Sequence, residues 1–353
     1  MDAEPSLSAA TIEDMVTAVD ESWQIDAVRA APSEAGHHII YEVSISADHG
    51  PDTCYLKATQ PERSATVDFE GRILGVLTGH SDLPVPNVYG VVDDHEDVPT
   101  PYVLMESLPG FATSRIAPGT LSERTHRHLA AQTGRWLADL HAIPAVDGYG
   151  YLDYDDRRRS GEPPGCDSDV LTVIDPVDEW REQVQRSAAS EIDQLTDTRF
   201  RDLASALETA LEEEIDRLTG PFSPALARID HSLENVLHQD GTLTGILDWE
   251  FTIAATPGYD LVHCAKAMAG GPFLFAPSVT DRWSIVFEAM LDGYRERVGA
   301  EAVSQIRVNR RCYDLLATVR TMAHLDEWYP MVGLADEIDR AADVLRTEVR
   351  AWT

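Results

Sequence analysis

A short segment in the second half of the chain places the strongest limits on how it can fold. The dipeptide Asp240-Gly241 is flanked by the apolar residues Val236 and Leu237 on one side and Leu243 and Ile246 on the other. Asp-Gly between apolar residues is a strong signal for a tight β-hairpin, because both positions accept a positive φ. Counting outward from that turn, Asn235 and Asp248 reach the open end of the same hairpin.

The polar residues at this open end are suited to a hard cation. Asp248 offers a carboxylate and Asn235 an amide oxygen, which are ligands that Mg²⁺ prefers. Asp230 lies five residues before Asn235 and is expected to face the same cavity. Taken singly, such residues more often cap turns than bind ligands. Their combination beside apolar strands predicts a magnesium site with Asn235 and Asp248 as ligands.

The order of the predicted elements indicates a sheet-bearing half followed by a helical half. Helical periodicity and alternation predict, in order, a helix at 12–23, strands at 39–45 and 53–58, a helix at 69–77, and strands at 88–92 and 102–105. Helices are predicted afterwards at 122–141, 176–218 in one or two pieces, 280–298, 301–325 and 335–351. The stretch 153–169 is rich in Pro, Gly and charge and is predicted as a surface loop.

The segment around the hairpin resembles a known family. Arg228-Ile229-Asp230, four residues, Asn235 and then Ile246-Leu247-Asp248-Trp249-Glu250 is similar to the pattern His-Gly-Asp, four residues, Asn, strand, Ile-Asp-Trp/Phe-Glu of the aminoglycoside phosphotransferase family. Three further stretches resemble it: residues 257–261 its Asp-Pro-x-x-Asp-Leu segment, 105–110 its hinge, and 137–141 the end of its long helix. The resemblance covers roughly residues 36–265.

This resemblance implies a two-lobed protein-kinase-like fold of the α+β class. Residues 1–106 would form a small nucleotide-binding lobe with an antiparallel sheet, and residues 107–353 a mainly helical lobe with the catalytic loop and the acceptor site. The implied reaction moves the γ-phosphoryl group of a Mg-nucleotide, ATP or GTP, to a hydroxyl of a small molecule.

The resemblance also implies roles for particular residues. Asp230 matches the catalytic aspartate, Asn235 and Asp248 match the Mg²⁺ ligands, and Met105 and Glu106 match the hinge that contacts the nucleotide. By position, candidate walls of the acceptor cleft are Glu250, Asp260 and residues 326–328.

One departure from the family pattern concerns the loop before Asp230. Arg228-Ile229 stands where the family has His-Gly. A β-branched residue does not adopt a positive φ cheaply, so we expect the loop to be shaped differently. Arg228 is expected to donate to neighbouring carbonyls or to Asp248, or to touch a transferring phosphate. The departure leaves open an alternative function, a nucleotide-binding pseudokinase that acts as a scaffold.

Lysine usage gives an independent indication. Only two of the 28 basic residues are lysines, and one of them, Lys57, lies in a predicted strand. Arginine would serve for solvation, so this position requires a compact ammonium. In phosphoryl-transfer folds a strand lysine contacts the α- and β-phosphates and pairs with a helix glutamate. Glu70 is the predicted partner, ahead of Asp68 and Glu62.

The predicted nucleotide loop rests on position alone. Residues 33–38 contain one glycine, Gly36, between the first predicted helix and strand, where the family places this loop. His37 and His38 could reach a phosphate, although solvated histidines are the more usual interpretation. The chain has no Gly-x-x-x-x-Gly-Lys-Ser/Thr motif, which argues against a P-loop enzyme. It also shows no activation-segment pattern, so protein is a disfavoured acceptor.

Composition narrows the classes further. The chain of 353 residues has 61 acidic residues and a net charge of −33, which with so few lysines resembles proteins of salt-accumulating haloarchaea. At about 1 M salt the Debye length is roughly 3 Å, so such a surface repels itself little. Nucleic-acid binding is disfavoured because it needs basic patches. The four cysteines show no paired spacing, and from this sequence we expect neither a signal peptide nor a membrane-spanning stretch. We therefore expect a cytoplasmic enzyme without a membrane partner, its oligomeric state left open.

Overall fold

The computed structural model describes residues 7–31, 38–59, 67–144, 146–155 and 160–352. Three residues named above, Gly36, His37 and Glu62, lie outside the described residues. The chain divides into two compact units. The first unit contains residues 1–109, 153–172 and 245–250, and the second unit contains residues 110–152, 173–244 and 251–353. The chain first passes from one unit to the other after residue 109, close to the predicted boundary at 106–107. The roles assigned to the two domains remain predictions.

The first unit is built on one antiparallel sheet. Its elements in chain order are α1 (Ala9–Thr17), β1 (Gln24–Ala30), β2 (His38–Ser46), β3 (Thr53–Thr59), α2 (Val67–His80), β4 (Val88–Val92) and β5 (Tyr102–Glu106). The strands pair in the order β1-β2-β3-β5-β4, which places β3 at the centre of the sheet. The alternation predicted for β2 is confirmed, since Tyr41, Val43 and Ile45 are buried.

The beginning of the chain differs from its predicted form. Ser8 caps α1, and its Oγ accepts the N–H of Thr11 at 3.0 Å. The helix ends at Thr17, and β1, which the sequence did not predict, follows it. Most residues of β1 are exposed, so the strand shows no apolar alternation. It exists because its backbone pairs with β2.

The stretch predicted as a surface loop is partly ordered against the first sheet. It begins inside a further strand, β6 (Gly150–Tyr154). The N–H of Gly161 then donates to the carbonyl oxygen of Val91 at 2.7 Å, and the N–H of Val91 donates to that of Glu162 at 3.3 Å. A polar stretch is held here by backbone hydrogen bonds, which composition does not reveal.

The part of the chain after residue 110 is mainly helical, as predicted. Its remaining elements are α3 (Glu123–His141), β7 (Leu171–Val173), α4 (Trp180–Leu195), α5 (Ala204–Asp216), β8 (Ala225–Ala227), β9 (Val236–Gln239), β10 (Thr242–Ile246), β11 (Ile253–Ala255), α6 (Pro257–Ala269), α7 (Trp283–Val298), α8 (Ala300–Met331) and α9 (Ile338–Val349). Strands β9 and β10 pair, and the other strands form a sheet in the order β7-β6-β11-β8. The α+β class is confirmed, although the sequence did not predict α6 as a helix. No helix of the described residues is long and apolar enough to span a membrane.

Helices α3 and α7 of the second unit pack with their backbones in contact. A Cβ on Gly134 of α3 would collide with the carbonyl oxygen of Met290, and one on Gly293 of α7 would collide with that of Ala131. Glycine at these two positions therefore permits the close approach. Beyond this contact α3 continues to His141, its last residue.

Candidate active site

Lys57 is held between two carboxylates in the first unit. Its Nζ lies 2.6 Å from Oε2 of Glu70 and 2.7 Å from Oδ1 of Asp248. Ile40 and Val103 are its neighbours on the adjoining strands, and only 5% of Lys57 is exposed. Burial lowers the pKa of Lys57, but the charges of Glu70 and Asp248 outweigh this effect and hold it above its usual value. The ammonium is therefore charged at neutral pH.

The two carboxylates are themselves positioned by the backbone. Asp248 has a φ of 63°, in the left-handed region, which aspartate tolerates better than most residues. The next residue, Trp249, donates its N–H to Oε1 of Glu70 at 3.1 Å. The predicted contact between Lys57 and Glu70 is thus present. Asp68, the weaker choice, instead accepts the hydroxyl of Tyr154 at 2.6 Å.

A second buried pair lies two residues beyond Asp248. Nε2 of His38 and Oε2 of Glu250 are 2.7 Å apart, and both side chains are almost buried. Burial raises the pKa of Glu250, but the hydrogen bond with His38 and the charges of Lys57 and His38 together lower it below its usual value. His38 is the first residue of β2, not a solvated loop histidine. The Glu250 carboxylate anchors the segment that carries Asp248, so its expected place in an acceptor wall is not supported.

The predicted hinge residues, Met105 and Glu106, are the last two residues of β5. Met105 is buried and pairs with Tyr55 of β3. The carboxylate of Glu106 accepts the side-chain amide of Asn87 at 2.6 Å and its backbone N–H at 3.1 Å. The N–H of Glu106 in turn donates to the carbonyl oxygen of Asn87 at 2.8 Å. These bonds fix the end of the strand, and contact with a nucleotide remains a prediction.

In the second unit, the loop before Asp230 is tied to a buried aspartate. Ile229 has a φ of 59°, and its N–H donates to Oδ1 of Asp260 at 2.7 Å. Oδ2 of Asp260 lies 2.9 Å from Nε2 of His141, at the end of α3. Burial raises the pKa of Asp260, but the hydrogen bond and charge of His141 outweigh it and leave the pKa below its usual value. Asp260 is therefore a buried carboxylate.

This geometry corrects two expectations from the sequence. Ile229 does adopt the positive φ that the family's glycine would adopt, although an L-residue in that region is strained by about 1–2 kcal/mol. The hydrogen bond to Asp260 holds the strained backbone in place. Asp260 itself is completely buried, so it positions the loop and does not line a cleft.

Arg228 takes part in a buried chain of polar contacts. Its Nε donates to Nδ1 of His231 at 3.0 Å, and Nε2 of His231 lies 3.0 Å from Oγ1 of Thr133 in α3. Burial, aided by the charge of Arg228, lowers the pKa of His231 well below its usual range. A neutral imidazole can accept from arginine on one side and donate to threonine on the other. His231 was not predicted as a site residue, since no spacing singles it out.

The predicted hairpin is confirmed. Asp240 and Gly241 have φ values of 52° and 79° and form the turn between β9 and β10. Asn235, directly before β9, is buried, and its N–H donates to the carbonyl oxygen of Ser232 at 3.0 Å. Asp230, of the second unit, is half-buried, and its N–H donates to the carbonyl oxygen of Arg228 at 2.7 Å.

Asn235 and Asp248 offer oxygen atoms of the kind that bind Mg²⁺ when nucleotide phosphates supply its other ligands. No cluster of three or more His, Cys, Asp or Glu side chains within the described ranges could hold a metal by itself. Mg²⁺ bound with a nucleotide needs only one or two protein ligands. Nδ2 of Asn235 is buried without a hydrogen-bond partner among the described residues, and rotation of the amide exchanges its nitrogen and oxygen. Asn235 and Asp248 thus have the required chemistry, each within its own unit, and their role as ligands stays a prediction.

The fold is that of a kinase-like phosphotransferase. A crystal structure of aminoglycoside phosphotransferase APH(4)-Ia matches with a TM-score of 0.60 and 15% identity, covering 96% of this chain and 99% of that chain. The gentamicin–APH(2")-IIa complex gives 0.56 at 15% identity and covers 97% of each chain. ADP-bound APH(2'')-Ib gives 0.55 at 15%, covering 97% of this chain and 98% of that one. At these identities the similarity shows the fold alone.

The family follows from the sequence match. The model of the phosphotransferase enzyme family (APH) matches residues 43–298, which is most of the chain, and the chain belongs to that family. The matched range includes the predicted residues Lys57, Glu70, Met105, Glu106, Asp230, Asn235 and Asp248, and it does not include Gly36. No protein of curated function matches the chain.

Proposed function

We propose that this protein is a small-molecule kinase that transfers the γ-phosphoryl group of ATP to a hydroxyl group. The observation that carries the proposal is the buried, charged Lys57 between Glu70 and Asp248. A strand lysine held by a helix glutamate is the arrangement that places the nucleotide phosphates in kinase-like phosphotransferases. Relatives of the same fold were crystallised with ADP or AMP-PNP, which supports a nucleotide as donor.

The roles proposed for the other residues follow from their chemistry. Asp230 orients the acceptor hydroxyl and accepts its proton, and the contact between Ile229 and Asp260 positions it. Asn235 and Asp248 are the proposed magnesium ligands. Bound Mg²⁺ would neutralise charge on the phosphates, as in other phosphoryl-transfer sites. Because this chemistry needs no covalent intermediate, positioning and charge account for most of the catalysis.

Two further parts of the proposal concern the nucleotide and the solvent. Met105 and Glu106 would contact the base of the nucleotide, and the segment around Gly36 would cover its phosphates, as the family resemblance implies. The acceptor is a small molecule, which agrees with relatives crystallised with hygromycin B or gentamicin. We further propose that the acidic, lysine-poor composition is an adaptation to molar salt.

The test compares two substitutions that should fail in different ways. Asp230→Asn keeps the shape of the loop, so Mg-ATP should still bind. The rate of phosphoryl transfer should fall by about 10²- to 10⁴-fold, which is the usual rate contribution of a general base. Asp248→Ala removes an oxygen ligand and a partner of Lys57, so it should lose Mg-dependent ATP binding as well. ATP affinity is measured with and without Mg²⁺ in high KCl, together with the rate of ADP formation.

The same measurements separate a kinase from a pseudokinase. A wild type that binds ATP without turnover, and that Asp230→Asn leaves unaltered, would favour the scaffold. Normal binding of Mg-ATP by Asp248→Ala would show that the metal site has been misplaced.

A further inference from the structure

Apolar side chains form a row across the four-stranded sheet. Tyr151 of β6 pairs with Ile253 of β11, and Ile253 pairs with Ala227 of β8. Ile174 extends the row on the other side, because its N–H donates to the carbonyl oxygen of Tyr151 at 2.8 Å. Residues paired across antiparallel strands point to the same face of a sheet. These four side chains therefore share one face, and all four residues belong to the second unit.

The outer part of this row is open to solvent. The exposed fraction is 73% for Tyr151 and 49% for Ile174, and it is 54% for Phe251 in the turn before β11. Neighbouring Leu152 and Ala254 are buried, as expected for the opposite face. Contiguous exposed apolar and aromatic residues mark binding surfaces more often than chance. We call Ile174, Tyr151, Ile253 and Phe251 the apolar patch.

The apolar patch leads to the catalytic loop. Ala227 pairs with Ile253 in antiparallel register. Asp230, three residues after Ala227, and Phe251, two residues before Ile253, therefore leave the sheet at the same end. Neighbouring strands lie about 4.8 Å apart and a strand rises about 3.3 Å per residue. The backbone of Tyr151 accordingly lies about 10 Å, two strand spacings, from that of Ala227, which is three residues before Asp230.

The chemistry of the patch differs from that expected for a polycation site. The chain has a net charge of −33, yet the four side chains of the apolar patch are themselves aromatic and aliphatic. Two acids that the sequence suggested as acceptor walls form other contacts. Asp260 accepts the N–H of Ile229, and Glu250 is hydrogen-bonded to His38. A surface of this kind gains free energy by covering uncharged apolar area, not by pairing with ammonium groups.

We propose that the apolar patch binds the non-reacting part of the acceptor, which is an uncharged hydroxyl compound with an aromatic or aliphatic portion. The inference rests on the proposed kinase function. The hydroxyl oxygen of the acceptor forms a bond to the γ-phosphorus while the bond from that phosphorus to the β,γ-bridging oxygen breaks. ADP is the leaving group, and the hydroxyl proton passes to Asp230.

A matched pair of probes tests the proposal directly. The two probes are 2-(2-phenoxyethoxy)ethanol and 2-(2-methoxyethoxy)ethanol, which differ only in a phenyl or methyl group at the end away from the hydroxyl. Covering a phenyl group should tighten binding of the first probe by about 10- to 30-fold. Dissociation constants are measured by ligand-observed NMR in high KCl, and the rate of ADP formation is measured with each probe as acceptor.

Three variants make the test specific to the patch. Tyr151→Ser and Phe251→Ser each remove an aromatic ring from it. Val308→Ser, on α8, removes another apolar side chain, one that is 61% exposed and lies outside the sheet. We expect the preference for the phenyl probe to fall below about threefold in the first two variants and to persist in the third. Thermal unfolding confirms that each variant is folded.

Several results would overturn the proposal. Equal binding of the two probes by the wild type would do so, as would a preference that survives both aromatic substitutions. Tighter binding of gentamicin than of either probe, unaffected by Tyr151→Ser, would show that the acceptor is a polycation bound elsewhere. Failure of the wild type to bind Mg-ATP would instead defeat the kinase function, and the ratio of probe affinities would still decide whether the patch is a binding surface.

Discussion

Replacing Asp260 should disturb the loop before Asp230 more than any other change remote from the reacting atoms. One oxygen of its carboxylate accepts the N–H of Ile229 at 2.7 Å and lies 3.3 Å from Sγ of Cys264. The other oxygen lies 2.9 Å from Nε2 of His141. Asp260→Asn keeps this shape and removes the charge, whereas Asp260→Ala removes both.

The expected magnitudes follow from these contacts. In Asp260→Asn the side-chain oxygen can still accept from Ile229. His141 can change tautomer, because its Nδ1 lies 3.0 Å from the hydroxyl of Tyr294, which can donate or accept. Only charge assistance is lost, so the free energy of unfolding should fall by about 1–2 kcal/mol. Asp260→Ala leaves Ile229 and His141 without that partner in the interior, which should cost about 3–5 kcal/mol.

The assay is urea unfolding at constant high KCl, with turnover measured in parallel. Asp339→Asn is the matched control, because Asp339 is an exposed aspartate paired with Arg199 at 2.6 Å, and exposed pairs contribute little. Both Asp260 variants should lower kcat more than they raise KM for the acceptor, since the loop positions Asp230. If Asp260→Ala destabilises the protein no more than the control does, the reasoning is refuted.

The pH dependence supplies a second check on Asp260. Its folded pKa is lowered from the usual 3.8, so its contribution to stability is present at pH above 3.8 and is lost as the pH falls through the folded value. The difference in stability between wild type and Asp260→Asn should therefore shrink as the pH falls from about 5 towards the folded pKa of Asp260. A difference that stays unchanged on acidification through that pKa would contradict the assignment of Asp260 as a buried carboxylate.

Three further changes test the site, the surface and the helix packing. Lys57→Arg should weaken Mg-ATP binding by at least about tenfold, because a planar guanidinium does not replace a point charge; Lys266→Arg is the matched control, and normal affinity of Lys57→Arg would disprove the role. Lowering KCl from about 1 M to about 0.1 M should lower the melting temperature, since the Debye length grows from roughly 3 to roughly 10 Å; an unchanged or higher value would contradict the adaptation to salt. Gly134→Ala should destabilise the fold by about 1–3 kcal/mol in urea unfolding, because its Cβ meets the carbonyl oxygen of Met290; a neutral result would mean that α3 and α7 can separate without cost.

Much of the local structure was determined by the sequence itself. Asp240-Gly241 predicted the hairpin, because both residues tolerate the positive φ that its turn requires. The helix predicted at 122–141 is α3, which begins at Glu123 after its cap Ser122, whose Oγ accepts the N–H of Thr125 at 3.0 Å. In each case the deciding interactions lie within a few residues, so the pattern contains the information needed.

The pair of Lys57 and Glu70 could also be predicted, for a different reason. The two residues are 13 positions apart on a strand and the following helix, and the near absence of lysine elsewhere singled out Lys57. The family resemblance supplied the expected partner. The nucleotide role of this pair depends on experiment, but its contact did not depend on a distant part of the chain.

Only the tertiary structure decided the contacts that join distant parts of the sequence. His38 and Glu250 meet across 212 positions, a separation that no spacing rule addresses. The strand β1 exists because β2 offers it a pairing edge, although its own residues show no alternation. Ile229 keeps a strained φ of 59° because Asp260, 31 positions later, accepts its N–H. Local preference alone predicted the opposite, since the free energy that offsets the strain comes from a buried carboxylate on another element.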